Sequence, residues 1–367
     1  MKYAMLVQDL QFGSTGKGSL VGYLARMMRP DTAIAAWGPN AGHTFVDRFG
    51  RVFIHTMLPI AAICDSVRNV LLGPGSVIQW ENLIKEVQYM NATLDNPRNF
   101  TMIVHPQATV VEQRHLEAER ANISIGSTMK GTGAALIEKV RRDPKSPSPL
   151  VRDMDKDRWG RIKLRLEQMG VTVEIDEDDY NEAADRSSSA IIEGAQGYSL
   201  GIHREFWPYT TSREISPAQI ISDCGICIPP LLTTFGTLRT FPIRVANRFN
   251  EQNEQVGTSG GWYSDQNELS WEELGLEPEF TTVTKLKRRV FTFSYMQLAG
   301  ALRLCRPDIL FLNFCNYLGT NEEEREQLVG EMVHYIEAEA VMVLGTETAC
   351  KVGYLGYGPS INDIKVR

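Results

Sequence analysis

The sequence predicts an α/β fold in which a mostly parallel central sheet carries helices on both faces, with peripheral insertions. Three observations support this prediction: short apolar segments recur along the chain, amphipathic segments separate several of them, and loop residues rich in glycine follow where they end. Alternating strands and helices are typical of parallel sheets, because each crossover returns the chain to the same edge. We therefore expect one elaborated domain over residues 1–367.

The elements are assigned in chain order. YAMLVQDL is predicted to be a short buried strand, and KGSLVGYLARMM after it has the periodicity of an amphipathic helix. The strand pattern recurs in TAIAAWG, RNVLLG, TMIVHP, AIIEGAQG and DILFLNF. Helices are predicted in VIQWENLIKEVQYM, VEQRHLEAERAN and DRWGRIKLRLEQMG. The Pro/Ser-rich stretch 143–153 is predicted to be a surface loop inside the domain.

Composition restricts the classes of function. Hydrophobic residues make up 43% of the chain and charged residues 23%, as in globular proteins with a sizeable core. The net charge of −7 argues against broad nucleic-acid binding, yet permits small phosphorylated ligands, which local amides and a few cations can hold. No apolar run reaches the roughly 18 residues of a membrane span. The sequence therefore predicts a protein that binds neither a membrane nor nucleic acid directly.

The six cysteines are scattered, mostly in apolar contexts, and MKYAMLVQDL lacks the apolar run and cleavage site of a secretory signal. We therefore expect a cytoplasmic, reducing setting with free thiols. Cys224 and Cys227 form a single CxxC, which without a partner pair predicts structural thiols rather than a metal or redox centre.

The loop GSTGKGS, residues 13–19, joins the first predicted strand to the first helix. A generic P-loop NTPase has four residues between its first glycine and Gly-Lys-Ser/Thr, whereas this loop has two, which excludes that class. Its amides, the helix N-terminus and Lys17 still form an anion cradle. Taken alone, a structural glycine turn is an equal alternative.

A second polar motif, WGPNAGHT, covers residues 37–44. Asn40 and His43 flank Ala41-Gly42 in a stretch that is too polar and glycine-rich for a core segment. A lone histidine is more often structural than catalytic. The neighbouring phosphate loop shifts the balance towards catalysis for His43.

The two loops together resemble the adenylosuccinate synthetase family, in which QWGDEGKGK and NAGHT appear in the same order at about this separation. Further blocks follow in family order: GSTMKGTG (126–133) resembles GTTGRGIG, EGAQG (193–197) is identical, PYTTS (208–212) resembles PYVTS, and EFTTVTKLKRRV (279–290) resembles the arginine-rich aspartate loop. Six ordered motifs over most of the chain exclude a chance match. The resemblance implies a related P-loop-like fold and an enzyme that joins L-aspartate to a 6-oxopurine nucleotide.

The family chemistry implied is transfer of a γ-phosphoryl group to purine O6, followed by displacement of phosphate by the aspartate amine. Phosphoryl transfer depends on positioning and charge neutralisation. The resemblance therefore implies Mg²⁺, with Ser14 and the Gly42 carbonyl as ligands, and Lys17 as a cation on the triphosphate. His43 is implied as general acid at O6, so the implied catalytic residues are Ser14, Lys17 and His43.

Binding residues are carried over position by position. Those implied for the triphosphate are Ser14, Thr15, Gly16, Lys17, Gly18, Gly42, His43, Thr44 and Gln196. Those implied for the monophosphate nucleotide are Asn40, Ser127, Thr128, Arg142, Gln196 and Thr211. Those implied for L-aspartate are Thr282, Val283 and Arg288. Arg142 matches an arginine that reaches the neighbouring site in the family's homodimer, so a homodimer is expected.

The chain departs from the family at Ser14, where the family has an aspartate that binds magnesium and removes the purine N1 proton. Serine is uncharged and a poor base unless activated, but it leaves room for a C2 amino group. The sequence thus resembles the bacteriophage branch of the family, which acts on dGMP and supplies 2,6-diaminopurine deoxynucleotide for phage DNA. The substrate expected is dGMP, and the setting expected is the host cytoplasm.

Two further departures concern the donor and aspartate. Where the family reads guanine of GTP with TKLD, this chain has LNFCN (312–316), which favours ATP or dATP as donor. Leu286 replaces the first arginine of the aspartate loop, and Lys285 or Lys287 is a candidate to compensate. Two alternatives remain at this stage: an ordinary adenylosuccinate synthetase using IMP and GTP, and a non-catalytic purine-nucleotide-binding regulator. The group that removes the N1 proton stays open between Ser14, a water and the donor phosphate.

Overall fold

A computed structural model describes residues 1–121, 129–250, 252, 254–281, 286–345 and 350–367. Its strands are β1 Tyr3–Asp9, β2 Thr32–Ala35, β3 His43–Val46, β4 Val52–His55, β5 Asn69–Leu72, β6 Val77–Ile78, β7 Phe100–Val104, β8 Thr109–Val110, β9 Val171–Ile175, β10 Ser189–Glu193, β11 Leu231–Arg239, β12 Ile243–Arg244, β13 Arg248–Phe249, β14 Gln255–Gly257, β15 Glu268–Leu269, β16 Arg289–Phe291, β17 Ile309–Asn313, β18 Lys351–Gly356 and β19 Ile364–Val366. Its α-helices are α1 Lys17–Met28, α2 Trp80–Thr93, α3 Gln113–Ala121, α4 Thr132–Arg141, α5 Lys156–Glu167, α6 Glu177–Arg186, α7 Pro217–Cys224, α8 Tyr295–Cys305 and α9 Glu322–Leu344.

The central sheet has the strand order β19-β18-β17-β11-β1-β10-β2-β5-β7-β9 across the described residues. Every neighbouring pair in it is parallel except β18 and β19. The predicted fold class is confirmed. Strand β1 lies between β10 and β11, which follow it far along the chain, so the order of connections reverses there. Such a switch point leaves a crevice at the carboxyl edge of the sheet.

Helices cover both faces of the sheet because β1 alternates its side chains between them. Met5 and Val7 belong to a core that α1, α2 and α5 complete, while Ala4 and Leu6 belong to a second core with α6 and α7. Helices α8 and α9 pack over β11, β17 and β18 through a third cluster. No helix within the described ranges is long and apolar enough to cross a membrane.

Element boundaries follow local sequence closely at the start of the chain. Strand β1 and helix α1 occupy the segments predicted for them. The helix predicted for VIQWENLIKEVQYM is wrong at its start, because Val77 and Ile78 pair with β8 and the helix begins at Trp80. The stretch 143–153 is largely exposed, as predicted, but ends in a short 3₁₀ turn that buries Val151.

The two cysteines of the CxxC differ in their exposure to solvent. Cys224 is buried as the last residue of α7, where burial raises the pKa of its thiol, and Cys227 is exposed. No cysteine forms a disulfide among the described residues. The free thiols predicted from the sequence are in place.

Candidate active site

The site lies at the carboxyl edge of the central strands. A cavity of about 320 Å³ opens there between the phosphate loop, the NAGHT loop and the start of the aspartate loop. Ser14, Lys17, His43, Gln196 and Arg288 all line it. These residues are up to 274 positions apart in the chain. The parallel register of β1, β10 and β2 places the segments that carry the first four at one edge, and Arg288 comes from the residue before β16 in a separate three-stranded sheet.

The phosphate loop is held in an unusual backbone shape. Gly13 and Gly16 both have φ of 93°, and Ser14 between them has φ of 58°. A Cβ on Gly16 would lie 2.0 Å from Nδ2 of Asn313, at the end of β17. Gly16 is therefore required both for its left-handed backbone and for the close approach of that amide.

The loop closes around a buried acid that sequence reasoning missed, Asp9 at the end of β1. Its Oδ1 accepts hydrogen bonds from the amides of Gln11 and Gly13 at 2.8 and 3.2 Å. Its Oδ2 accepts from the amide and hydroxyl of Thr15 at 3.4 and 2.5 Å, and from Lys17 Nζ at 3.0 Å. The implied contact of the Thr15 amide with triphosphate stays a prediction, since in this structure that amide points to Asp9.

His43 is buried at the start of β3 and paired with a second acid. Its Nδ1 lies 2.5 Å from Oε1 of Glu193, the last residue of β10, whose Oε2 accepts from the amide of Ile60 at 2.8 Å. The ring also packs against Trp37, with ring centroids 4.5 Å apart. This carboxylate–imidazole pair fixes the orientation of the His43 ring at the cavity.

Ser14 is exposed to the cavity and lies between two arginines. Its Oγ accepts a hydrogen bond from Nη1 of Arg288 at 3.1 Å, and its carbonyl accepts from Nη1 of Arg239 at 3.1 Å. Arg239 is fully buried, is ion-paired with Glu279, and lies 3.8 Å above the centroid of the Phe314 ring. The structure therefore joins the phosphate loop directly to the predicted aspartate loop.

The implied nucleotide residues that the structure describes lie close together. Asn40, Gln196 and Thr211 line both the large cavity and a smaller one of about 30 Å³ beside it. Gln196 has a φ of 62° and its carbonyl accepts from Lys17 Nζ at 2.7 Å. Its backbone thus links the EGAQG turn to the phosphate loop.

Other implied residues have different placements. Gly42 lines the cavity, and the exposed Thr44 packs its backbone on Gly18, where a Cβ would lie 2.6 Å from the Thr44 carbonyl. Arg142 is exposed after α4, outside the residues that line either cavity. Four residues implied by the resemblance lie outside the described residues: Ser127, Thr128, Thr282 and Val283. Lys285 lies outside them too, while Lys287 pairs with Glu272.

The LNFCN segment has a supporting role that sequence reasoning did not foresee. Asn313 is buried, and its Nδ2 donates to the Thr15 carbonyl at 3.3 Å. Its Oδ1 accepts from the Phe314 amide at 2.8 Å. The Asn313 amide thus holds the phosphate loop.

Asp9, Glu193 and Arg239 were missed as functional residues. Each ends a strand of the central sheet, and the carboxyl ends of parallel strands meet at one edge. A rule that scores polar residues at predicted strand ends would have found Asp9 and Glu193, whereas the strand that Arg239 ends was not predicted from the sequence. Arg244, also missed, is buried at the cavity between Phe12 and Phe206, and burial lowers the pKa of its guanidinium to about 9.

Comparison with known proteins decides the family. A model of the adenylosuccinate synthetase family matches residues 6–158. The N6-succino-2-amino-2'-deoxyadenylate synthase of Acinetobacter phage SH-Ab 15497 is 40% identical over 100% of this chain and 94% of its own length. That of Vibrio phage phiVC8 is 42% identical over 100% of this chain and 99% of its own length.

The chain belongs to the adenylosuccinate synthetase family. The succinoaminodeoxyadenylate synthetase of cyanophage S-2L, solved with dGMP and with dATP as energy donor, superposes with a TM-score of 0.84 at 36% identity, over 100% of this chain and 95% of that one. Fully ligated adenylosuccinate synthetase from Plasmodium falciparum shares the fold, with a TM-score of 0.72 at 17% identity over 99% of each chain. The predicted family and the predicted resemblance to its phage branch are confirmed.

Proposed function

We propose that this family member ligates L-aspartate to C6 of dGMP, with ATP or dATP as phosphoryl donor, and so forms N6-succino-2-amino-2'-deoxyadenylate. The observation that carries the proposal is Ser14, a short neutral side chain that lines the cavity at the position where the wider family has an aspartate. This chain aligns with nearly the whole length of two phage relatives that are named for this product. The reaction forms a C–N bond, as expected of a synthetase.

The chemistry divides among the residues around the cavity. Lys17, held at the cavity by Asp9 and the Gln196 carbonyl, neutralises charge on the transferred phosphoryl group. His43, with Glu193 behind it, donates a hydrogen bond at O6 once O6 carries the phosphoryl group, and acts as general acid when the C6–O6 bond breaks and phosphate leaves. Arg288 binds a carboxylate of aspartate, releasing its contact with Ser14, so that the aspartate amine reaches C6 and phosphate leaves.

Magnesium fits the oxygen groups at this edge. The Ser14 hydroxyl and the Gly42 carbonyl both belong to residues that line the cavity, and neutral oxygen ligands supplemented by phosphates and waters suit Mg²⁺. Bound there, the ion would neutralise charge on the donor's phosphate oxygens. The protein's own part is to supply those two oxygens next to Lys17.

A substrate matrix tests the proposal. Phosphate release is measured with dGMP, GMP or IMP against ATP, dATP or GTP, with and without L-aspartate, and products are weighed by mass spectrometry. We expect aspartate-dependent turnover with dGMP and either adenine donor. Preference for IMP with GTP would show an ordinary adenylosuccinate synthetase, aspartate-independent phosphate release would show hydrolysis without ligation, and absent turnover would show a binding protein.

We further propose a homodimer acting in the host cytoplasm, in which Arg142 reaches the partner's monophosphate. Its exposure beyond α4, away from its own cavity, supports this. Complementation is a direct test: Arg142→Leu and Lys17→Met chains, each inactive alone, should recover activity when mixed, because one hybrid site regains both groups. Full activity of Arg142→Leu alone would refute the shared site.

A further inference from the structure

The phosphate loop contains its own anion. Asp9 is buried at 1% exposure, and its carboxylate accepts hydrogen bonds from three backbone amides: that of Gln11, just before the loop, and those of Gly13 and Thr15 within it. Successive amides of a loop that converge on one point form a nest for an anion. Here the protein supplies that anion, so these three amides are committed before any phosphate arrives. The amides of Ser14, Gly16 and Gly18 are not among those that Asp9 binds.

The same carboxylate fixes the loop to the sheet. The Thr15 hydroxyl lies 2.5 Å from both Asp9 Oδ2 and the hydroxyl of Thr237 on β11. Thr237 in turn donates to the carbonyl of Gln8 at 3.2 Å. The loop is thereby held between β1 and β11, and its position relative to the central strands is set by one buried network.

Asp9 also determines where Lys17 points. An ammonium group has three N–H donors, and two of them are taken by Asp9 Oδ2 at 3.0 Å and by the Gln196 carbonyl at 2.7 Å. Lys17 is 5% exposed, yet it lines the cavity. With two donors fixed, the third remains for an oxygen of a bound phosphate.

We propose that Asp9 is a positioning residue for phosphoryl transfer, which acts through Lys17 and contacts no substrate itself. It holds the ammonium group in one orientation and reserves the amides of Ser14, Gly16 and Gly18 for the triphosphate. A cation oriented in advance needs no rearrangement as charge develops on the transferred group, which is where preorganisation accelerates a reaction.

A double-mutant cycle tests this inference. Initial rates of phosphate release are measured with Asp9→Asn, Lys17→Met and the double variant, and aspartate KM is measured for each active one. We expect Asp9→Asn to lower kcat about 100-fold, the effect of a misplaced catalytic group, with the aspartate KM within about twofold. Because Asp9 acts through Lys17, the double variant should be no slower than Lys17→Met alone.

A matched control separates this role from loss of a buried carboxylate in general. Asp47 is also fully buried, and its carboxylate also accepts hydrogen bonds from the amides of a turn, those of Phe49 and Arg51, and from a cation, the Arg51 side chain. Asp47→Asn should lower the thermal midpoint as Asp9→Asn does, while kcat stays within about twofold. Binding of dGMP by calorimetry confirms that each variant is folded.

Thr237→Val serves as a second variant, since it leaves the Asp9–Lys17 pair and the Thr15–Asp9 bond intact and removes only the hydroxyl that donates to the Gln8 carbonyl. Its kcat should stay within about threefold of wild type, the size of one neutral hydrogen bond. Multiplicative losses in the double variant, an unchanged kcat in Asp9→Asn, or equal losses in Thr237→Val and Asp9→Asn would each overturn the proposal. The inference rests on the proposed function only for its assay. The wild-type rate tests that function. The ratios of rates between variants, measured with whichever monophosphate is a substrate, test the positioning role of Asp9.

Discussion

Replacing Ser14 by aspartate should shift the enzyme's preference from dGMP towards IMP. The serine side chain is exposed at the cavity, where it faces Arg288. A longer, charged side chain would occupy space that we assign to the C2 amino group of guanine. Loss of one well-fitted group in a pocket costs about 1–3 kcal/mol, so the ratio of kcat/KM for dGMP over IMP should fall roughly 10- to 200-fold.

The same change acts on aspartate binding. Nη1 of Arg288 lies 3.1 Å from Ser14 Oγ, so a carboxylate at position 14 would form an ion pair with it. The gross attraction is about 4 kcal/mol at 4 Å for an effective dielectric constant of 20, and solvent at the cavity reduces the net value to about 1 kcal/mol. Because we propose that L-aspartate binds Arg288, the substrate would have to displace that carboxylate, and its KM should rise about fivefold.

The assay is initial-rate phosphate release with dGMP and with IMP at saturating ATP, for wild type, Ser14→Asp and Ser14→Asn. Asparagine matches aspartate in size and lacks its charge, so it should reproduce the loss of dGMP preference and leave the aspartate KM near wild type. The reasoning would be refuted if Ser14→Asp kept the wild-type ratio of dGMP to IMP, or if Ser14→Asn kept it while Ser14→Asp lost it.

Three further predictions follow from contacts around the site. Glu193→Gln removes the charge that orients His43, so kcat should fall roughly 10²- to 10⁴-fold with dGMP affinity retained by calorimetry; an unchanged kcat would exclude the pair from catalysis. An alanine at Gly16 would have a backbone φ of 93° and a Cβ that clashes with Asn313, whereas an alanine at Gly50 would have a φ of 78° and open space around its Cβ. Denaturant unfolding should show that Gly50→Ala lowers the free energy of unfolding by about 1 kcal/mol and that Gly16→Ala lowers it clearly more. Equal losses would contradict the clash. Burial lowers the pKa of His55 from 6.5 to about 4, so between these pH values the unfolded chain binds a proton that the folded chain does not. The free energy of unfolding therefore falls as pH drops through this window, by up to about 1.4 kcal/mol per pH unit from this group. Urea unfolding of His55→Phe should show a weaker dependence of the unfolding free energy on pH in this window, and an identical dependence would refute the assignment.

Local pattern was sufficient to predict the parts of the fold that depend on neighbouring residues. Strand β1 and helix α1 follow from an apolar run, a glycine turn and 3.6-residue periodicity, which are properties of a short segment. The helix after Val77 was misplaced because a short strand formed by pairing with β8 has no local signature. The order of strands in the sheet likewise depends on pairing partners that are distant in sequence.

The sequence by itself determined the chemical groups of this protein: a lysine loop without its usual acid, a histidine motif, a neutral Ser14 and an arginine-rich segment. Only the tertiary structure decided how they are held. Asp9 underneath the loop, Glu193 behind His43, and Arg239 between Ser14 and Glu279 come from three different strands. The physical reason is that parallel strands gather their carboxyl ends at one edge, which brings together residues that sequence spacing separates.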